Sequence, residues 1–496
     1  MQDATPQTQA APPEAPYGRV LLWLVLATFT VILNETIMMN ALPRLMVAFH
    51  TDARTVQWLT TAFMLTMAVV IPATGWFLQR VDTRTAYTLA MGVFCGGTLL
   101  AAVAWAFPVL VAARVIQAAG TAIMMPLLMT TLMVIVPPAR RGQVMGLVTL
   151  AISVAPAMGP TASGVILEFA SWRWIFWFVL PIAVVMTVLG RRNLPSGEAA
   201  RQASLDVLSV ALSAVGFGAF VYGLSQLGAE GHQPVSPVLA VVVGVAGLAL
   251  FVARQIALQR GGGPLLDLRT LAVGRFTLCL AIMSVAFMGM LGVMILLPLY
   301  LQDVRGVGVL ETGLLMMPGG VAMGLLGPVV GRLFDARGAR VLVIPGCVLI
   351  LAVLLGFTRV TVSTPVWSIL ALHVGLMVGL AFAFTPLFTV GLSALPGHLY
   401  SHGSSMVGTA QQLAAAAGAA LVVNVMSSRA TDLAKEGKTL AEATAGGMRG
   451  AFWLDAGICA LMLVLTLFLP GRGATAAGHG HGHGPAPEDP AAEPSA

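Results

Sequence analysis

Fourteen apolar runs, joined by short loops that hold most of the charge, constrain this chain more than any other feature. A helix rising about 1.5 Å per residue needs about 20 apolar residues to cross a hydrocarbon layer of about 30 Å. Inside that layer every backbone N–H and C=O must find its partner within the chain, which leaves the α-helix as the structure for runs of this length. The runs lie near 20–42, 57–78, 86–106, 108–131, 142–168, 172–190, 205–225, 237–258, 275–300, 309–331, 341–358, 367–391, 404–425 and 449–470. With 58% of 496 residues hydrophobic, 9% charged and a mean hydropathy of +0.90, the chain is expected to be an all-α multi-pass membrane protein.

The basic residues set the expected orientation. If the N-terminus is cytoplasmic, the inner segments hold Arg19, Arg80, Arg84, Arg140, Arg141, Arg191, Arg192, Arg201, Arg254, Arg260, Arg269, Arg275, Arg332, Arg337, Arg340 and Arg472. The outer loops hold only Arg44, Arg54, Arg173, Arg305 and Arg359, and a longer loop at 426–448 adds Arg429, Lys435 and Lys438. Positive charge is retained on the cytoplasmic side, so both termini are expected there, in a cell membrane. The net charge of +6 therefore reads as topology and gives no nucleic-acid surface. Residues 1–18, rich in Ala, Pro and Gln, read as a disordered tail. The first apolar run is too long and too weakly flanked for a cleaved signal peptide.

An internal repeat divides the chain. Gly75 to Arg84 recurs as Gly331 to Arg340, Arg114 precedes Gly120 as His373 precedes Gly379, and Gly142-Gln-Val-Met145 recurs as Gly403-Ser-Ser-Met406. Spans 1–6 and 9–14 are thus two copies of one six-helix unit, with spans 7 and 8 inserted. The expected organisation is a tail at 1–18, a first bundle at 19–195, the inserted pair at 196–262, a second bundle at 263–471 and a tail at 472–496. Duplicated halves with a site between them are the pattern of a secondary transporter.

One acid interrupts the first span. Glu35 lies roughly two turns from its outer end, where an ionised side chain costs several kcal/mol unless it faces a partner or a water-filled cavity. The low dielectric penalises the charged form, a condition that a reversible proton carrier exploits. A structural carboxyl hydrogen-bonded to a neighbouring helix is the other reading. Asp455 in span 14 is a second buried candidate, or else a solvated acid near a helix end. His373 is either titratable or a packing residue, and Glu168 and Asp206 sit at span ends. In span 5, Pro156, Gly159, Pro160 and Gly164 are expected to bend the helix and to allow close approach of the other half.

Other chemistries find little support. Cys95, Cys279, Cys347 and Cys459 each fall within a span, without CxxC spacing. No HExxH, no His-rich constellation in the spans and no Ser/His/Asp grouping suggest an enzyme. The phosphate-cradling GxxxxGK[ST] is absent, so ATP is not the expected energy source. No metal is expected in the spans. His479, His481 and His483 alternate with glycine in the C-terminal tail, which could bind a metal weakly or simply be disordered.

Several motifs together resemble the fourteen-span drug:proton antiporter family of the major facilitator superfamily, the multidrug and lincomycin-resistance type exporters, over about residues 20–470. The loop signature G-x-x-x-D-x-x-G-x-R is complete as Gly331, Asp335, Gly338 and Arg340, and degraded in the first half, where Gln79 replaces the acid between Gly75, Arg80 and Arg84. Span 4 carries R-x-x-Q-x-x-G as Arg114, Gln117 and Gly120. Span 5 carries the antiporter signature as Pro156, Gly159, Pro160 and Gly164, with Ala155 and Ser163 in place of glycines. Trp172-Arg-Trp-Ile-Phe176 matches the start of span 6, and Leu33 to Pro43 matches span 1, where many relatives have the acid at Asn34.

The resemblance implies two six-helix bundles that rock about a central site, exchanging protons for drug. Spans 1 and 4 line that cavity in the family, and Glu35 and Arg114 both lie about 10 Å from the outer boundary. Arg114 is therefore expected to hold Glu35 ionised until substrate or a conformational change lets a proton bind, with Asp455 as a second coupling candidate. A static buried pair is the alternative. Met, aromatic and amide side chains suit bulky amphiphilic ligands. On that ground Asn34, Met38, Met39, Asn40, Trp58, Phe63, Gln117, Met124, Met290, Phe382 and Gln411 are candidates for the substrate path. Asp335 and Arg340 suit an ion pair that latches the cytoplasmic helix ends in one state. The expected activity is proton-coupled export of hydrophobic or cationic amphiphiles by a monomer in the lipid bilayer, without cofactor beyond the proton gradient. A dedicated exporter of one natural product or lipid is the competing reading, and a channel is a poorer one.

Overall fold

The computed structural model describes residues 17–39, 41–195, 205–226, 235–261 and 263–469. Among them, fourteen helices are long and apolar enough to cross a membrane. They are α1 (Tyr17–Met39), α2 (Ala53–Phe77), α3 (Thr83–Ala102), α4 (Phe107–Ile135), α5 (Arg141–Phe169), α6 (Arg173–Asn193) and α7 (Val207–Gln226). The series continues with α8 (Pro237–Gln259), α9 (Gly274–Leu299), α10 (Val309–Arg337), α11 (Arg340–Phe357), α12 (Val366–Ser393), α13 (Tyr400–Lys435) and α14 (Leu440–Thr466). No strand occurs among the described residues. Asn40 and the His479, His481 and His483 tract lie outside them, as does the side chain of Met39.

Local chemistry accounts for several helix ends. Asp52 and Asp82 cap α2 and α3 by accepting hydrogen bonds from the backbone N–H groups of Thr55 and Thr85. Helix α1 ends at Met39, before the expected boundary, and a short helix Leu42–Phe49 restarts with Pro43 in its first turn, where a missing N–H costs nothing. Gly338 follows α10 with φ of +84°, a conformation that disfavours any other residue.

The loop expected at 426–448 is instead helical. Helix α13 runs on to Lys435, Gly437 turns the chain with φ of +82°, and Thr439 and Glu442 form a reciprocal capping box that starts α14. At 36 residues, α13 is about 54 Å long and outreaches the hydrocarbon layer. The polar content of this stretch marked it as loop, although its Ala, Leu, Glu and Lys residues are good helix formers.

The packing repeats the sequence duplication. Helix α1 packs on α4, α5 and α6, α2 on α4, and α3 on α4 and α6; α9 packs on α12, α13 and α14, α10 on α12, and α11 on α12 and α14. Every one of these pairs recurs eight helices later. Between the bundles, α5 meets α10 and α12, while α13 meets α2 and α4, again in symmetric relation. The inserted α7 and α8 pack on each other, and α7 lies against α2 and α13, so the insertion covers one of the two seams between the bundles.

The two seams differ. Along α5 and α10, glycines let backbone approach backbone: a Cβ at Gly146 would strike the carbonyl of Gly327, and one at Gly331 would strike that of Gly142. Higher on the same seam, Gly324 meets Val154, Gly320 meets Ala157, and Gly164 meets Leu310. On the other seam, Gly75 of α2 lies against His402 and Ser405 of α13, and Thr74 and Ser405 share a hydrogen bond of 2.7 Å.

Candidate functional site

Arg114 is the largest fully buried side chain among the described residues, 1% exposed on α4. Its Nε donates to the carbonyl of Leu59 at 3.4 Å and its Nη1 to Oε1 of Gln117 at 3.0 Å. Gln117 is held in turn, its Nε2 donating to Thr98 Oγ1 at 3.0 Å. The guanidinium stacks 4.2 Å over the ring of Phe63 on α2, a placement that stabilises a desolvated cation. Three helices thus position one charge. Gly120, one turn beyond Gln117, permits this by letting α4 touch the backbone of α3 at Ala90.

Glu35 is the charge that Arg114 faces. Its half-buried carboxylate lies within electrostatic reach of the guanidinium. Among the described residues no hydrogen bond or ion pair within 4.0 Å joins it to any partner. The arginine's Nε and Nη1 are engaged by Leu59 and Gln117, and the two charges interact across a gap rather than by contact. The flanking residues point elsewhere. Thr36 Oγ1 approaches the carbonyl of Ala155 at 3.4 Å and packs on Gly159, while Asn34 is fully buried with both amide atoms unpartnered among the described residues.

The candidate path residues divide by what they touch. Phe63 and Gln117 belong to the arginine's support. Met38 and Met124 are at most 1% exposed and pack in the core. Trp58 stacks on Tyr222 of the inserted α7, with centroids 6.1 Å apart, so it faces the insertion and not the centre. Phe382 packs against Gly346 of α11. In this closed conformation these six are engaged in packing, because helix rotation decides which face a side chain occupies. Glu35, Met290 and Gln411 remain half-buried, and Gln411 Nε2 has no partner among the described residues. The α9–α12 contact adds a stacked pair, Phe287 on Phe384 at 4.8 Å.

Asp455 is 0% exposed, with neither carboxylate oxygen hydrogen-bonded among the described residues. Because α14 starts at Leu440, Asp455 sits about 22 Å along it, which removes the solvated helix-end reading. It faces Gly292 of α9, where a Cβ would collide with Oδ2. His373 is likewise buried, against Gly319 of α10, with Nδ1 unpartnered.

The two loop motifs lie at one end of the molecule, here termed the basic face, where α1 begins and Arg80, Arg84, Arg191 and Arg340 cluster. Asp335 makes no ion pair with Arg340 among the described residues. It accepts instead from the backbone N–H groups of Gly142 at 3.0 Å and Gln143 at 2.9 Å, capping α5 across the seam. Exposed Arg340 starts α11, leaving the unfilled donors at the N-terminus of α5 as the better partner for the carboxylate. In the degraded first-half copy, Gln79 Nε2 donates to the carbonyl of His398 at 2.9 Å. Arg80 donates to the carbonyl of Trp76 and stacks on its ring, and Arg84 Nε donates to the carbonyl of Leu194 at 2.7 Å. Helix α5 runs through Pro156 and Pro160 to Phe169, with Gly159 and Gly164 at its contacts with α1 and α10.

Hydroxyl pairs complete the closure. Thr130 with Ser404, Thr149 with Thr385, and Arg141 Nη1 with Ser393 Oγ at 3.1 Å all join the bundles on the basic-face side. The signal for this seam was present in sequence as Gly142-x-x-x-Gly146 and Gly327-x-x-x-Gly331, a small-residue spacing that reads as close helix approach. A second polar cluster ties the insertion down. Arg254 holds Asp206 in a two-pronged pair at 2.7 and 2.8 Å, which keeps that carboxyl well below its usual range. Gln255 accepts from the backbone N–H groups of Leu265 and Leu266, and the next residue, Asp267, donates its N–H to His402 Nδ1. Burial opposes ionisation of Asp267, but hydrogen bonds from Arg269 outweigh it and lower its pKa.

The family model of the Major Facilitator Superfamily matches residues 24–419. The MFS-type transporter YcnB of Bacillus subtilis is 40% identical over 464 residues, covering 92% of this chain and 97% of the relative. The lincomycin resistance protein LmrB of Listeria monocytogenes is 38% identical over 408 residues, covering 82% and 86%. The crystal structure of the human organic anion transporter MFSD10 superposes with a TM-score of 0.65 at 17% identity, covering 92% of this chain and 100% of that one. The chain belongs to the major facilitator superfamily: it is a multi-pass membrane transporter and not an enzyme.

Proposed function

We propose that this member of the major facilitator superfamily exports hydrophobic or cationic amphiphilic compounds in exchange for protons, with Glu35 as the coupling acid. The observation that carries the proposal is the gap between Glu35 and Arg114. A carboxyl inside a membrane helix, reached by space and lacking a contact partner, can take up and release a proton, while a cation fixed by Leu59, Gln117 and Phe63 biases which form is held. A cationic substrate entering that space competes with Arg114 for the carboxylate, which couples binding to deprotonation. The positive-inside rule supports a cytoplasmic basic face. Closure at that face by Asp335, the glycine seam and the hydroxyl pairs then corresponds to the outward-facing state.

Proton release from purified protein on adding ethidium or lincomycin tests this. Wild type is expected to release protons and Glu35→Gln to release none. Equal release from both would move coupling to Asp455, a buried acid of the second bundle whose carboxyl is unpartnered among the described residues. The lincomycin-resistance name of a relative favours, as a second reading, a narrow substrate range. A compound panel in which only lincosamides elicit release would select it.

A further inference from the structure

Outside the transport path, a lateral cavity of about 580 Å³ opens on the flank of the first bundle, lined by Arg84, Thr85, Thr88, Leu89, Gly92, Val93 and Arg191. Its floor is the α3–α6 contact: the Tyr87 hydroxyl donates to the carbonyl of Met186 at 2.7 Å, and its ring lies where a Cβ on Gly190 would be. Arg84 stands in the first turn of α3 and Arg191 in the last turn of α6, so both cations rim the cavity at the basic face. Gly92 lies eight residues, about 12 Å, deeper along α3. Nothing lies within 4 Å of a Cβ built at Gly92, or at Gly96 one turn further on. The two missing side chains leave a trough flanked by Leu89, 49% exposed, and continued by the exposed Leu99.

We infer that this trough is a binding site for an anionic phospholipid, its phosphate between Arg84 and Arg191 and one acyl chain laid over Gly92 and Gly96. The argument is one of matched depth. Cations occupy the level of the headgroups and an apolar channel occupies the level of the chains, on a surface that lipid must cover because Leu89, Leu99, Val184 and Val188 are exposed there. Arg84 is positioned for this by its bond to the carbonyl of Leu194, which engages Nε, while its terminal nitrogens make no hydrogen bond among the described residues. The acid on this stretch, Asp82, accepts from the backbone N–H of Thr85 and serves as the helix cap. Thr88 Oγ1 donates to the carbonyl of Arg84. A free anion would use the rim alone and leave the trough unexplained.

Native mass spectrometry of the delipidated full chain in detergent, titrated with phosphatidylglycerol, phosphatidylcholine or glycerol phosphate, tests the site. Phosphatidylglycerol is expected to bind more tightly than phosphatidylcholine. Arg191→Gln should weaken phosphatidylglycerol about fivefold, the effect of one cation at a membrane surface, and leave phosphatidylcholine unchanged. Gly92→Phe fills the trough in open space, so it should fold normally and also weaken phosphatidylglycerol. The inference is overturned if both variants bind phosphatidylglycerol like wild type, or if glycerol phosphate binds as tightly as the lipid, which would indicate a simple anion site.

Discussion

Asp335 on α10 closes the seam between the bundles by accepting the backbone N–H of Gly142, the first turn of α5, at 3.0 Å. An acid from one half thus serves as the helix cap of the other, and the cap exists only while the basic face is shut.

Replacing Asp335 with Ala removes that cap, worth about 0.5–2 kcal/mol, from the closed state alone. A cysteine placed at Thr149, beneath the seal, should then react several-fold faster with a polar maleimide added from the basic face, in a background lacking the four native cysteines. An unchanged rate would mean that the cap does not hold the seal.

Gly327→Val places a side chain against the carbonyl of Gly146, where the backbones touch. Because neither backbone can yield without parting the seam, the expected cost exceeds about 2 kcal/mol. It should appear as a lowered Tm together with lost transport. Gly96→Val, which meets nothing, is the matched control and should retain both.

Arg114→Lys keeps the charge but loses the fork that reaches Leu59 and Gln117 and the plane that lies on Phe63. Transport is expected to fall at least tenfold, equivalent to about 1.4 kcal/mol, with the protein still folded. Wild-type transport by the lysine variant would show that charge alone suffices.

Trp58→Ala distinguishes scaffold from substrate path. Loss of the stack on Tyr222 should loosen α2 from α7 and lower Tm by the equivalent of about 1 kcal/mol or more. The Kd for exported compounds should be unchanged. A raised Kd at constant Tm would return Trp58 to the path.

The Asp206–Arg254 pair predicts a pH signature at the insertion. Arg254 depresses the folded carboxyl, so the stabilisation is complete above the unfolded value of about 3.9 and is lost as pH falls below it toward the folded one. Asp206→Asn should lower Tm by a constant amount from pH 8 to 5, and the gap to wild type should narrow only below about pH 4. For a pair of this exposure the effect is at most about 1 kcal/mol.

Number, type and repetition of the helices were legible in the chain because each rests on local rules. A run such as Val20 to Leu42 has to be a spanning helix wherever its neighbours lie, and Gly331 to Arg340 repeats Gly75 to Arg84 whatever the fold does with it. The acid at Glu35 and the cation at Arg114 were legible for the same reason, since charge at that depth is costly in any arrangement. Which face each helix turns inward was not. Membrane helices are apolar all round, so periodicity does not separate a side chain at the centre from one against a neighbour. The packing partners of Trp58, Phe382 and Met124 were therefore hidden until the helices were oriented. Partners of long reach in sequence were equally hidden: Asp335 could be matched by spacing to Arg340, but only the closed seam brings it to Gly142, 193 residues away. Insertion into the membrane was determined by residues acting singly, whereas the pairings that seal this transporter were decided by how the two bundles meet, and the placing of Arg114 opposite Glu35 by how α1 and α4 pack within one bundle.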